Sequence, residues 1–307
     1  MLKQRVITAL ILVAILLPTL WVDVSWPFAL LTLLFIGAGG WEWSRLNQAP
    51  GLRAWVLGAA VVGACVWMAA RMGLPLWGAS PAAGELAAAH VHDWTHPLMG
   101  FYTSPLVWWA AGAVWVIGGA AALRWGNGHW LQVPAGLRRS LGLVVLTAAW
   151  LALVESKAQG LNYLLSVMCL VWAADIGAYF GGRRFGRHKL APSISPGKSW
   201  EGVVAGQVAV LLLAAGWIWL DNHFGVDAPS LYSRLMLGVG PLGLLVATAG
   251  LTAMSVVGDL FESLIKRQAG EKDSSQLLPG HGGVLDRIDA LLPVLPLSLG
   301  VLSFCHG

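Results

Sequence analysis

The feature that most limits the fold of this 307-residue chain is a series of long apolar runs nearly free of charge. Only 11% of its residues are Asp, Glu, Lys or Arg, against 57% hydrophobic, and a helix needs about 20 apolar residues to cross the hydrocarbon core. Lipid offers a bare backbone no hydrogen bonds, and the runs are too long for barrel strands. The expected fold is therefore an all-α, polytopic integral membrane protein. Nine spans are read, near 6–22, 27–43, 54–71, 104–123, 140–155, 161–180, 202–220, 236–257 and 290–305. The first has the charged start of a signal peptide, but no small-x-small cleavage pattern follows it, so it reads as an uncleaved span. Cys65, Cys169 and Cys305 lie singly inside apolar runs and read as packing residues.

Charge tests this division, because Lys and Arg of short loops collect on the cytoplasmic side. With the N-terminus inside, 16 of the 19 Lys and Arg fall in inner segments, leaving only Arg71, Lys157 and Arg234 outside. The net charge of +4 then records membrane orientation. It offers no soluble basic face to a duplex, so nucleic acid is not an expected partner. Two polar segments, 181–201 and 258–289, emerge on the same inner face and hold nine of the cations. Organisation follows as N-terminal membrane helices over 1–160, with an outer loop 72–103, and a catalytic region over 161–307.

In the second segment, Asp259, Glu262, Ser263 and Lys266 fall on one face of a helix, with Leu260, Phe261, Leu264 and Ile265 opposite. An amphipathic interfacial helix would look the same. Asp259, however, ends an apolar span, where a carboxylate is costly unless paired or metal-bound. Gly280, Gly282 and Gly283 surround His281, and such turns can cradle phosphate oxygens on backbone N–H groups. Asp286 and Asp289 follow at i, i+3 spacing, on one helical side. Carboxylates beside a phosphate nest, with Lys and Arg near, are what Mg²⁺-assisted phosphoryl or nucleotidyl transfer requires.

The first segment adds Asp175 near the inner end of the sixth span, then Arg183, Arg184, Arg187, Lys189 and Lys198. Such a basic loop also serves topology and attracts anionic lipid heads. Gly197, Lys198 and Ser199 are not a Walker A motif, since the glycine it needs at position 192 is Pro. His90, His92, Asp93 and His96 of the outer loop match no common metal-site spacing. Trp21, Trp26, Trp43, Trp200 and Trp219, near span ends, read as interfacial anchors.

The run S-L-I-K-R-x4-K-D-x-S-x2-L-P-x-H-G-G-V-L-D-R-I-D, Ser263 to Asp289, resembles the signature of the phosphatidate cytidylyltransferase (CDP-diacylglycerol synthase) family. So does D-x-G-A-Y-x-x-G-R-x-x-G-x-H-K-L-A-P-x-x-S-P-G-K-S-W-E-G, from Asp175 to Gly202, which is similar to bacterial members. The resemblance implies that CTP and phosphatidate give CDP-diacylglycerol and pyrophosphate, with Mg²⁺ and at the cytoplasmic face of a bacterial inner membrane. Carried over by position, it implies Asp259 and Asp286 as first metal ligands, with Asp289 and Asp175 supporting and Asp273 either ligating or orienting Lys272. Lys198, Lys266, Arg267, Lys272 and Arg287 become phosphate and pyrophosphate contacts. Ser263 lies beside them, and His281, Gly282 and Gly283 form the nest. The lipid would enter from the bilayer by a groove between spans. A second cation beside Mg²⁺ and a homodimer both remain open at this stage.

That reaction asks for in-line positioning and charge neutralisation rather than a strong base, because the attacking phosphate monoester is already ionised. An anion transporter would instead place its binding groups at the midplane on broken helices, in two related halves. Another Mg²⁺-dependent lipid phosphotransferase would share the acids, and nucleotide dependence separates it.

Overall fold

The computed structural model describes residues 2–22, 24–74, 105–126 and 128–305. Most of the outer loop read from the sequence, including its three histidines and Asp93, lies outside them. The chain runs as helices α1 (Leu2–Trp21), α2 (Trp26–Leu46), α3 (Leu52–Arg71), α4 (Pro105–Arg124), α5 (Ala135–Ala158) and α6 (Leu161–Phe185). A hairpin, β1 (Lys189–Ala191) and β2 (Ser195–Ser199), leads into α7 (Trp200–His223) and α8 (Leu231–Gln268). The short α9 (Leu285–Ile288) and α10 (Leu291–Leu302) close the described chain. Among the described residues, seven helices are long and apolar enough to cross a membrane: α3 to α8, and the segment Leu285–Cys305 that joins α9 to α10. α1 offers a shorter apolar stretch, Val6–Trp21.

Several details differ from the sequence reading, the first of them a departure from all-α. The basic segment after α6 is not a plain loop but an antiparallel hairpin pairing Lys189 with Ser199 and Ala191 with Ser195. Its end passes straight into α7, where the Ser199 hydroxyl accepts from Gly202 N at 3.2 Å as an N-cap. Residues 258–268 are not a separate interfacial helix but the last turns of α8, which is 38 residues long. α8 bends at Gly240 (φ 71°), just before Pro241, whose missing N–H breaks the helical ladder there. Beyond the bend it runs roughly 40 Å at 1.5 Å per residue, longer than the hydrocarbon core, so its polar end can project out of it. Trp43, expected at an interface, is instead 2% exposed. Its indole donates to the Arg138 carbonyl at 2.9 Å, while Trp21, Trp26, Trp200 and Trp219 are exposed as expected of anchors.

Two close helix contacts set up the functional end. α6 and α7 meet through small residues: a side chain on Gly206 would press on the Ala174 carbonyl (2.7 Å), and one on Gly177 on the Ala205 carbonyl (2.9 Å). Small residues let membrane helices approach backbone to backbone, and here they bring Asp175 of α6 beside the entry to α7. α8 crosses the start of α10 at Gly258, where a Cβ would meet the Asp289 carbonyl and the Pro293 ring. That approach makes neighbours of Asp259 and Asp289. Underneath, the apolar face of α8 is packed by aromatics, with Phe261 edge-on to Trp115 and Trp130 at 5.5 and 5.2 Å.

Candidate active site

The two polar segments meet. Lys198, near the end of β2, places its Nζ 2.6 Å from Asp259 Oδ2 on α8, although 61 positions separate them in sequence. The other oxygen of Asp259 accepts from Ser263 Oγ one turn on, at 3.3 Å. Asp175 is close enough to Lys198 and Asp259 to feel both charges, and Asp289 close enough to Asp259, Lys198 and Lys266. Asp289 also turns one oxygen onto its own helix, accepting from Ala290 N at 2.8 Å.

A second ion-paired knot lies beside the first. Lys266 Nζ is 2.5 Å from Glu262 Oε2, its i, i+4 partner, and 2.5 Å from Asp286 Oδ1 on α9. Asp286 Oδ2 accepts from Ser274 N, Ser274 Oγ and Gly283 N, each at 2.8 Å. The polar face read from the sequence thus resolves into two i, i+4 pairs, Asp259 with Ser263 and Glu262 with Lys266.

The His-Gly-Gly turn is folded more tightly than a free phosphate nest. Leu278 and Gly282 form an isolated antiparallel bridge, His281 N donates to the Leu278 carbonyl at 2.8 Å, and Gly283 N is spent on Asp286. Gly280 and Gly282 take φ of 76° and 82°, a region that side chains disfavour. Asp273 packs against this turn, since a Cβ on Gly282 would lie 3.5 Å from its Cβ. Lys272, Asp273, Arg267 and Arg287 are exposed. Arg287 is braced by its Nε on the His281 carbonyl at 3.0 Å, and Arg267 reaches the Glu271 carbonyl at 3.3 Å.

Three residues outside the expected set hold this end together. Glu42 of α2, with 0% exposure, grips both ends of the 274–285 loop, and Ser274 and Ser275 are among its donors. A signal for Glu42 was present in the sequence: it is a lone carboxylate in an apolar helix, and such residues are functional candidates by default. Ser274 and Ser275 gave none, because serine is ordinary in a loop.

Among the described residues no three His, Cys, Asp or Glu converge as a ready metal-holding group. The donor chemistry nevertheless suits a hard divalent cation that keeps waters and takes one or two carboxylates plus substrate phosphates. Asp259 and Asp286 each tie one oxygen to the protein and turn the other toward a lysine ammonium. A monovalent cation therefore stands where a divalent one would add charge. Ion pairs of this kind can open to let lysines meet phosphates and carboxylates meet a metal.

Beside this end lies an apolar cavity of about 230 Å³ between α1, α2, α5, α6 and α9–α10. Leu16, Phe28, Ile36, Trp150 and Leu292 line it, and among the described residues Arg287 is its only charged wall residue. Asp286, Arg287 and Ile288 are consecutive, so the short α9 has Asp286 in the ion-paired cluster and Arg287 and Ile288 in the cavity wall.

Comparison with known proteins shows similarity over the whole chain. The family model described as "Cytidylyltransferase family" matches residues 3–305. A phosphatidate cytidylyltransferase of Pseudomonas aeruginosa is 41% identical over 98% of this chain and 97% of its own length. One from Haemophilus influenzae is 37% identical over 96% of each. A Staphylococcus saprophyticus enzyme of the same name is 39% identical across 51% of this chain and 55% of its own.

Proposed function

The chain belongs to the cytidylyltransferase family, and we propose that it transfers the cytidylyl group of CTP to phosphatidate, giving CDP-diacylglycerol and pyrophosphate. The observation that carries this to particular residues is the meeting of Lys198 with Asp259, which joins both family-like segments in one cluster. In the reaction a phosphate oxygen of phosphatidate forms a bond to the α-phosphorus of CTP. The bond from that phosphorus to the bridging oxygen breaks, and its electron pair leaves with pyrophosphate. No proton need be removed from the nucleophile, so the protein's work is alignment and charge neutralisation.

Lys198 and Lys266 hold the positions from which ammonium groups can neutralise the triphosphate, once their carboxylate partners exchange them. Arg267, Lys272 and Arg287, exposed around the same end, serve the departing pyrophosphate and the lipid phosphate. Asp259 and Asp286 would hold Mg²⁺ by their outward oxygens, with Asp289, Asp175 and Asp273 within the surrounding cluster. An ion held by these carboxylates would supply charge neutralisation to the triphosphate and the departing pyrophosphate. Gly283 N is committed to Asp286, so the turn's contribution to CTP falls to its remaining groups, Gly282 and the His281 side chain.

The cavity offers a place for an acyl chain of phosphatidate. Its wall is apolar, it lies among membrane helices, and Arg287, next in sequence to Asp286 of the cluster, is in its wall and could meet the lipid's phosphate. Orientation with the N-terminus and site both cytoplasmic, in a bacterial inner membrane and with nine spans, is supported by the bias of Lys and Arg. It is supported too by Thr8, near the start of α1, whose hydroxyl donates to the Pro279 carbonyl of the signature loop at 2.9 Å.

The test incubates purified protein with phosphatidate, Mg²⁺ and each nucleoside triphosphate, and follows pyrophosphate and lipid product. CTP is expected to support turnover and the others not. Turnover with UTP and none with CTP would overturn the assignment.

A further inference from the structure

Glu42 lies 232 residues before Ser274, in a stretch of α2 outside both family-like segments. Its Oε1 accepts from Ser275 Oγ at 2.5 Å and Val284 N at 2.9 Å; its Oε2 accepts from Leu285 N at 2.7 Å and Ser274 Oγ at 3.2 Å. These donors come from both sides of the signature loop, just after Asp273 and just before Asp286. Ser274 is shared: its N–H and Oγ are each 2.8 Å from Asp286 Oδ2. A hydroxyl has one proton, so Ser274 Oγ, 2.8 Å from Asp286 Oδ2 and 3.2 Å from Glu42 Oε2, bridges the two carboxylates by donating to one at a time. There is no slack around it. A Cβ on Gly283 would run into both Ser274 Oγ and Glu42 Oε1.

We propose that Glu42 is a positioning residue for the transfer reaction: by clamping the loop through Ser274, Ser275 and the first N–H groups of α9, it fixes the Asp286 carboxylate against Lys266. This rests on the reading of Asp286 as part of the catalytic cluster. Two features favour it over a clamp that merely stabilises the fold. Among the described residues, the side-chain hydrogen bonds of Glu42 all come from the loop that carries Asp286, and one donor, Ser274, belongs to both carboxylates. Carboxylates that act in a site are commonly held by a further set of hydrogen bonds, and loss of such a partner costs about 10–100-fold in activity.

The experiment uses the full-length enzyme in lipid nanodiscs. Glu42→Gln keeps the shape but turns an amide N–H₂ toward two donors. It should lower kcat about 10–100-fold while KM for CTP and for phosphatidate stay near wild type, the pattern of an interaction that matters only in the transition state. Ser274→Ala should lower kcat in the same way, and the double variant should lose less than the product of the two losses. Should Glu42→Gln fail to fold, Ser275→Ala removes one donor to Glu42 and should reduce kcat several-fold with KM unchanged. Thermal unfolding confirms that each variant is folded at the assay temperature.

Wild-type kcat in a folded Glu42→Gln enzyme, or in Ser275→Ala where only that variant folds, overturns the proposal. So do multiplicative losses in the double variant. Asp286→Asn runs in parallel to separate the two readings. If it turns over like wild type, the placement of Asp286 in the site is what failed; if it is inactive while Glu42→Gln is not, only the role of Glu42 has failed.

Discussion

The two ends of this helical bundle both gather buried polar groups, and they satisfy them in opposite ways. At the end opposite the candidate site, Asp221 accepts from Ser230 N (2.9 Å), Ser230 Oγ (2.5 Å), Ser233 Oγ (2.6 Å) and Asn162 Nδ2 (2.8 Å). Asp227 accepts from Leu161 N and Asn162 N at the start of α6. Every one of these donors is neutral. About 30 Å away along α7, the candidate site pairs carboxylates with lysines instead, at Lys198–Asp259 and Glu262–Lys266–Asp286. A carboxylate held by neutral donors has no reason to release them. One held by an ammonium can trade it for a metal, and the ammonium can then trade its carboxylate for a phosphate. One end is built as a joint of neutral hydrogen bonds and the other as a cluster of ion pairs, the arrangement that the proposed exchange requires.

The sharpest way to break that contrast is to remove a charge from the exchanging end. In Asp259→Asn the amide oxygen can keep the Ser263 contact, leaving an N–H₂ toward Lys198 and no carboxylate for a cation. Because the contact to Ser263 and the packing beneath α8 survive, the variant should fold and insert. Turnover should fall on the order of 10²–10³-fold, the scale of losing one electrostatic contact to a transition state. The check is kcat beside a melting curve. Turnover within about threefold of wild type would remove Asp259 from the chemistry.

That prediction stands on residues the sequence exposed, and it shows which parts were legible. Lys198, Asp259, Lys266 and Asp286 could be picked out because a charged group in an oily chain is costly and must have a reason. The nine apolar runs were legible for the same cause and are all helical. Spacing said which side of a helix a residue takes, but not its partner across 61 or 232 positions. The pairing of Lys198 with Asp259 and the grip of Glu42 on the signature loop are therefore tertiary facts. The hairpin over residues 189–199 was hidden because its short strands, rich in Ser, Pro and Gly, carry no clear period-two hydrophobic alternation. Trp43 was misplaced because nearness to a span end says nothing about which way the indole faces, and here it is packed under the site.

The joint end gives the converse test. Asp221→Ala removes the acceptor of four hydrogen bonds, including those from the N–H and hydroxyl of the fully buried Ser230, while Asn162 Nδ2 keeps its bond to the Ala228 carbonyl. Each buried group left unpaired costs about 1–3 kcal/mol, so the melting temperature should drop by several degrees. At a temperature where the variant is still folded, kcat and both KM values should stay within about twofold of wild type, because sites this far apart act independently. A loss of turnover with an unchanged melting curve would mean that the two ends are coupled, and the division between joint and site would fail.

The smallest effect is expected at Asp227, and its cause lies in a glycine. Helix α6 would ordinarily be capped by a Ser, Thr or Asp side chain at position 160. That position is Gly160, with φ 127° and no room for a Cβ, which would collide with Ala228. The cap is supplied from the next loop, where Asp227 takes the N–H groups of both Leu161 and Asn162. Its negative charge also faces the positive end of the helix dipole. Asp227→Ala should therefore cost about 1 kcal/mol of stability, the usual value of a cap, while Asp227→Asn, which keeps one acceptor oxygen but turns an N–H₂ toward the other N–H, should recover only part of that. Thermal unfolding of the two variants ranks them, and turnover below the transition should match wild type in both. A cost in Asp227→Ala that disappears at high salt would assign the effect to charge rather than to the hydrogen bonds, making this end electrostatic after all and blurring the distinction from the lysine-paired site.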